Sequence, residues 1–180
     1  MEDNFTREAR FNRLYEEHFE AVRGYVWRRD PSIADDIVAE AFLVAWRRLD
    51  DVPTSPRPWL IGVARNARLN LRRGANRQRA VAERLADATP TPTGPVDAGV
   101  SEVVGVALAR LSERDREVLL LSIWDDLDRA AIAAVLGCSR ANVSVRLHRA
   151  RRRFAAEVDR LGFGSHLIPS PSLASVGPDV

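Results

Sequence analysis

Apolar residues recur along this chain at intervals of three and four and nowhere in strict alternation, a pattern that predicts helices and no strands. Phe11, Leu14, Tyr15, His18, Phe19, Val22 and Val26 share one stripe of a first helix. Asp30-Pro31-Ser32 restarts the chain, and a second helix runs from about Ile33 to Leu49. Pro53, Pro56 and Pro58 interrupt the period before a third helix, Trp59 to Arg73. Its Leu60, Ala64, Ala67 and Leu71 face inward, and Gly74 is placed to end it. Three such helices make a small all-α domain spanning 8–74. Residues 75–100 then change character. ANRQRAVAERLAD offers a marginal helical extension, and ATPTPTGPVDAG has few large apolar residues, so the segment reads as a flexible linker. Helical periods resume at Val103 to Leu111 and Ser112 to Trp124, where Ser112 and Asp115 resemble a capping box. The second domain spans 101–161, and the aperiodic tail 162–180 is expected to be disordered.

The strongest local signal is DRAAIAAVLGCSRANVSVRLHRARRRF, residues 128–154. Asp128 is placed to cap one helix, Gly137 to end it in the left-handed region, and Ser139 to cap the next. That outline is a helix-turn-helix, a shape that fits the DNA major groove. Val143, Leu147, Ala150 and Phe154 fall on one core stripe of the second helix. Ala141, Val145, His148, Arg149 and Arg152 face away from it, with Asn142 and Ser144 on the flanks and Arg140 at the start. An outward valine among arginines suits a face that meets thymine methyls while its neighbours bond base edges and phosphates. The alternative, a basic amphipathic helix that only packs on its neighbour, leaves the agreement of caps, turn and free face unexplained.

Two further surfaces stand out. The second helix is apolar over most of its circumference: Ile33, Ile37, Ala41 and Val44 form one stripe, Val38, Phe42, Ala45 and Leu49 widen it, and Leu43 and Trp46 lie beyond both. With Asp36, Glu40 and Arg47 they outline a docking face for another protein, the alternative being a helix buried all round. On the third helix Arg65, Asn66, Leu69, Arg72 and Arg73 lie opposite the inward stripe, where arginines hold phosphates and an asparagine reads a base edge. The loop DDVPTSPRPW beside it could receive an unstacked base. Trp59 could serve as a stacking platform, though a tryptophan opening an amphipathic helix is more often core.

Charge sharpens this picture. The formal net charge is only +2, but every one of the 27 basic residues is arginine. Fourteen of them lie in two acid-free stretches, between Asp51 and Glu83 and between Asp128 and Glu157. Two basic surfaces imply two contacts with a long polyanion. The single cysteine, Cys138, excludes an intrachain disulfide and a multi-cysteine metal site, and reads as a small half-buried residue of the turn. His18, His148 and His166 have no triad or metal-ligand neighbourhood, and the pairs Asp35-Asp36 and Asp125-Asp126 are assigned to helix dipoles or solvent. No phosphate loop or dinucleotide fingerprint occurs, so no catalytic residue, metal or cofactor is expected. No apolar run approaches the ~18 residues of a membrane span, which predicts a cytoplasmic protein without membrane insertion.

Taken together, ADDIVAEAFLVAWRRL, RPWLIGVARNARLNLRR and LSERDREVLLL with the helix-turn-helix and VRLHRARRRF resemble the extracytoplasmic-function type of bacterial sigma factor over residues 8–160. The resemblance implies that the first segment binds the clamp helices of the RNA polymerase beta-prime subunit. It implies that the second recognises the melted promoter strand, and that the last reads the minus-thirty-five element and docks on the beta flap. It also implies core RNA polymerase, promoter DNA and an anti-sigma factor as partners. The chain departs from the family at Ala130-Ala131-Ile132, at Ala141-Asn142 and at Asn70, positions that bear on capping and base contacts. The rival readings are a stand-alone helix-turn-helix regulator, which would need a ligand pocket or dimer surface, and a nucleic-acid enzyme such as a resolvase.

Overall fold

The computed structural model describes residues 2–82 and 100–162, and among these every regular element is helical. The order is α1 (Glu2–Trp27), α2 (Ala34–Arg47), α3 (Pro56–Ala82), α4 (Val100–Arg110), α5 (Glu113–Ile123), α6 (Arg129–Leu136) and α7 (Arg140–Arg160), with 3-10 turns at Pro31–Ile33 and Leu49–Asp51. Of the expected linker 75–100, residues 75–82 belong to α3 and Val100 to α4, while 83–99 lie outside the described residues, as does the expected tail 162–180 from 163 onward.

Helices α1, α2 and α3 pack on one another as the first bundle. Leu14, Val22, Val26, Ile37, Val38, Ala41, Phe42, Ala45, Leu60, Ile61 and Ala64 supply its buried interior. Phe11 meets Phe42 and Trp46 edge to face at 6.4 and 5.2 Å, and Tyr15 meets Phe42 at 4.7 Å, so aromatic contacts join α1 to α2. Asp35 and Asp36 occupy the first turn of α2 and Arg47 its last, each complementing the helix dipole.

Three expectations need correction here. Gly74 does not end α3, which continues to Ala82. One glycine costs about 1 kcal/mol in a helix interior, and good helix formers on both sides outweigh it. Leu71 is 48% exposed rather than inward, whereas Arg68 is 3% exposed. The inward stripe of α3 therefore runs Leu60, Ile61, Ala64, Arg68. Tyr25, outside the anticipated α1 stripe, is fully buried.

Helices α4 to α7 form the second bundle around Leu111, Val118, Leu119, Leu121, Ile132, Val135, Val143, Leu147 and Ala150. All three capping assignments of the helix-turn-helix are observed. Asp128 accepts from the Ala131 N–H at 2.7 Å, Gly137 sits at φ +63°, and Ser139 accepts from the Asn142 N–H at 3.2 Å. The chain bends by 99° between α6 and α7, as the motif requires. Ser112 caps α5 by accepting from the Asp115 N–H at 3.2 Å; Asp115 reaches back to the Ser112 hydroxyl rather than to its backbone.

The two bundles touch. Helix α3 packs on α6 at Gly62, where a Cβ would stand 3.9 Å from the Val135 Cα, and the buried apolar residues of both bundles form one contiguous cluster. Among the described residues, no single helix is long and apolar enough to cross a membrane.

Candidate nucleic-acid and polymerase interfaces

On α2, the three-four spacing places Asp36, Glu40, Leu43 and Arg47 along one exposed face, with Leu43 42% exposed amid the charges. Trp46 is drawn further into its own bundle than the periodicity suggested. It is half-buried, the Arg7 guanidinium lies 5.3 Å from its ring, and its carbonyl accepts from Arg7 at 2.8 Å.

The free face of α7 stands where the sequence put it. Val143, Leu147 and Ala150 are buried and Phe154 packs against the core. Arg140, Asn142, Val145, His148, Arg149 and Arg152 are exposed on the other side. Ser144 is half-buried and donates its hydroxyl to the Arg140 carbonyl at 3.2 Å, so it is engaged with its own helix. Among the described residues no acid forms an ion pair with Arg140, Arg149 or Arg152. Arg153, further round, pairs with Asp115. Burial would push the Asp115 carboxyl up, but hydrogen bonds from Arg153 and Ser112 hold it below its usual range, which ties α5 to α7. Cys138 is half-buried in the turn.

Helix α3 presents a different picture. Asn66 and Arg73 are exposed and Leu69 is half-buried, but Arg65 and Arg72 turn toward α5. Arg72 Nη1 lies 2.6 Å from Glu113 Oε1, and Arg65 Nε 3.7 Å from Glu117 Oε1. Arg68 donates to Asp30 Oδ2 at 3.0 Å, and its Nη2 lies 3.5 Å from Glu117 Oε2 and 3.7 Å from Glu113. Tyr25 Oη of α1 donates to Glu117 at 2.9 Å, and Arg29 Nε, in the turn after α1, donates to it at 3.0 Å. Arg28 and Arg29 both pair with Asp125, and Arg57 donates to the Asp125 carbonyl at 2.7 Å. Asp125 is 1% exposed, so the assignment of this acid to dipole or solvent is corrected. The turn that delivers it holds Asp126 at φ +48°, a conformation aspartate tolerates better than most residues.

Burial would push the Glu117 carboxyl up, yet the Arg29 and Arg68 charges and the hydrogen bonds from Tyr25 and Arg29 hold it below the usual carboxylate range. Burial, and then the Glu117 charge, push the Tyr25 hydroxyl far up, so it remains a protonated donor. The seam is not fully satisfied: Nε of Arg57, Arg65 and Arg68 are buried without a hydrogen-bond partner.

This charge cluster escaped sequence reasoning, although two signals were available. Arg68 continues the Leu60, Ala64 row at i+4, and Glu117 directly precedes a buried run, Val118 to Leu121. Among the described residues no group of three or more His, Cys, Asp or Glu side chains is placed to hold a metal.

A helical protein with a helix-turn-helix whose second helix presents exposed arginines is, as a class, a DNA-binding one. Residues 14–78 match the family described as Sigma-70 region 2, and residues 101–154 match Sigma-70, region 4. The ECF RNA polymerase sigma factor SigL of Mycobacterium tuberculosis is 33% identical over 157 residues, covering 83% of this chain and 89% of that protein. The ECF sigma factor SigM of Bacillus subtilis is 28% identical over 138 residues, covering 73% and 83%. Among solved structures, the sigma factor RpoE of Bartonella quintana, in complex with the anti-sigma factor NepR, shares the fold with a TM-score of 0.70 at 21% identity, covering 83% of this chain and 96% of that one. CnrH, solved with the cytosolic domain of CnrY, gives a TM-score of 0.58 at 26% identity, covering 83% and 88%. The chain belongs to the extracytoplasmic-function RNA polymerase sigma factors. As such it is a subunit of RNA polymerase that binds the core enzyme and promoter DNA and directs transcription initiation, and the stand-alone regulator is not favoured.

Proposed function

We propose a division of labour among the three helices. The α2 face of Asp36, Glu40, Leu43 and Arg47, with the edge of Trp46, docks on the clamp helices of the polymerase beta-prime subunit. Arg65, Asn66, Leu69, Arg72 and Arg73 of α3 hold the melted non-template strand. Arg140, Asn142, Ser144, Val145, His148, Arg149 and Arg152 of α7 read the upstream duplex at the minus-thirty-five element, and the second bundle rests on the beta flap. The units are 8–74, whose last helix runs on to Ala82, and 101–161, with the chain between α3 and α4 linking them across the enzyme. Two modest DNA contacts joined through one enzyme surface gain affinity by effective concentration. The protein works in the cytoplasm, and an anti-sigma factor restrains it, as NepR and CnrY accompany RpoE and CnrH. The observation that carries this reading is the α7 face, where arginines flank an exposed Val145 and no internal acid pairs with Arg140, Arg149 or Arg152 among the described residues. The test is transcription in vitro with core enzyme on genomic DNA, followed by mapping of start sites. Discrete start sites sharing an upstream element are expected. A protein that gave none, yet alone bound an operator tightly, would sink the proposal.

A further inference from the structure

Arg153 of α7 and Asp115 of α5 form an ion pair whose two halves lie in different surroundings. The Asp115 side chain is 11% exposed and the Arg153 side chain 62%. Asp115 is anchored on its own helix by the Ser112 hydroxyl at 2.8 Å, and one Nη of Arg153 reaches across from α7 to the same carboxylate oxygen. A guanidinium carries several N–H donors in a fixed plane, so a group pinned at one nitrogen and open to water elsewhere still has donors to offer. Along α7, Arg153 continues the row Asn142, Arg146, Arg149, on the flank of a face whose middle carries Val145, His148 and Arg152. A helix with its side chains is about 10–12 Å across and the major groove about 12 Å wide. The middle of a docked face therefore meets base edges, and its flanks meet the phosphates of the groove walls. Recognition helices read bases chiefly with their N-terminal residues, and Arg153 lies in the second half of α7. We infer that Arg153 binds a backbone phosphate of the upstream duplex and that Asp115 is the positioning residue that aims it. This rests on the reading of α7 as the duplex-facing helix.

By charge alone an acid beside a phosphate-binding surface is unfavourable, and Arg149 also lies within reach of the Asp115 charge. The place of Asp115 in the first turn of α5, next to the Ser112 cap, suits the helix dipole and accounts for an acid on α5. It does not account for an arginine drawn to that acid from another helix. Positioning accounts for both. A free arginine loses the rotamer freedom of a long side chain when it grips a phosphate, whereas one already held by a buried carboxylate has given that freedom up beforehand. Arg160 offers a contrast on the same helix. Its side chain is 68% exposed and pairs with Glu157, three residues earlier on α7 itself. A pair of that kind forms on any isolated helix, but the Arg153 pair needs α5 in place, so the aim of Arg153 is set by the folded bundle.

The test uses holoenzyme and a fluorescein-labelled duplex carrying the strongest promoter found by start-site mapping, with anisotropy followed over a salt series. In a second set of duplexes, single phosphates around the upstream element are replaced in turn by neutral methylphosphonates. Arg153→Ala should weaken binding about tenfold at fixed salt and lower the salt slope by about 0.9, the value for one duplex phosphate. One methylphosphonate should weaken the wild type and leave Arg153→Ala unaffected. Asp115→Ala should weaken binding about threefold, although it takes a negative charge away from the DNA side, and should cost nothing more in the Arg153→Ala background. Ser112→Ala removes the cap bonds of α5 and keeps the ion pair, so it should lower the melting temperature and leave the methylphosphonate profile as in the wild type. Tighter binding by Asp115→Ala overturns the inference, because the acid would then act by charge alone. So do losses from Asp115→Ala and Arg153→Ala that simply add, a methylphosphonate profile that Arg153→Ala leaves unchanged, or one that Ser112→Ala alters as much. Arg149→Ala separates the remaining cases. If it too binds the duplex normally, the reading of α7 falls as well; if it binds weakly, that reading stands and only the roles of Arg153 and Asp115 are lost.

Discussion

Helices α3 and α7 carry arginine faces of similar density, yet the fold treats them oppositely. On α7, Arg140, Arg149 and Arg152 stand exposed, and among the described residues no acid pairs with them. On α3, Arg65, Arg68 and Arg72 each face a carboxylate of α5, and Arg68 is nearly closed off from water. Like charges one helical turn apart repel by some tenths of a kcal/mol, and on α7 the charge of Asp115, felt by Arg153 and Arg149, relieves only part of that repulsion. On α3 the second bundle already relieves it. An arginine-rich helix therefore announces a need for anions but not their source, which the facing surface decides.

The sharpest way to break the contrast is to take the counter-ion from α3. Glu117→Ala removes one of the carboxylates that face Arg29 and Arg68 and leaves them to Asp125 and Asp30, and truncating one partner of a buried pair costs up to about 3–5 kcal/mol. That loss should fall on the seam, because Glu117 takes its ion pairs and the Tyr25 hydrogen bond from the other bundle. In urea the wild type should unfold in one transition and the variant in two, one for each bundle. One transition in the variant, merely shifted, would make Glu117 an ordinary core residue of its own bundle.

Acid should reach the same state by protonation. The Glu117 carboxyl is held below its ordinary range only while the seam is closed. A group depressed in this way contributes stability that is complete above its ordinary value and is lost as pH falls through the depressed one. Closure should thus be flat from about pH 8 to about pH 5 and weaken below that, where Arg29, Arg65, Arg68 and the neutral Tyr25 face a carboxyl losing its charge. Expansion seen by small-angle scattering between pH 6 and 8 (roughly the neutral range) would contradict this assignment.

On the open face the expected effect is smaller and of another kind. Arg149→Ala should weaken the upstream contact of the holoenzyme by about 1–3 kcal/mol, read by footprinting, and leave its affinity for core polymerase unchanged. Equal loss of both would make α7 structural rather than a reader of DNA.

These two faces also mark how far the sequence could be read. The caps at Asp128, Gly137 and Ser139, and the alternation of Val143, Leu147 and Ala150 with exposed arginines, are decided within a few residues of chain, so periodicity and capping rules reach them. The seam is decided by complementary charges far apart in sequence: Arg29 and Glu117 are separated by 88 positions. A rule that equates apolar with inward assigns Leu71 to the core and leaves Arg68 unplaced, because it assumes that the surface waiting there is apolar. Here that surface is acidic, so the arginine is the inward residue and the leucine the outward one. Asp125 reads as solvated for the same reason, since its partners Arg28 and Arg29 lie in the turn just past α1, in the other bundle.

The smallest effect should lie at the rim of the seam, and it separates holding the bundles together from holding DNA. Arg72 and Glu113 make a short contact, but their side chains are 44% and 60% exposed. Solvent screening limits such a pair to about 0–1 kcal/mol, far below the contribution of the enclosed Arg68 and Arg29 pairs. Arg72→Ala should leave the urea transition of the free chain displaced by no more than that, and its scattering profile unchanged. In the holoenzyme the same substitution removes one phosphate contact, so the salt slope of melted-strand binding should fall by about 0.7. A variant that loosened the seam as much as Glu117→Ala would place the closing energy at the rim. One that altered neither readout would remove Arg72 from the strand-binding face and leave Arg65, Asn66, Leu69 and Arg73 to account for it.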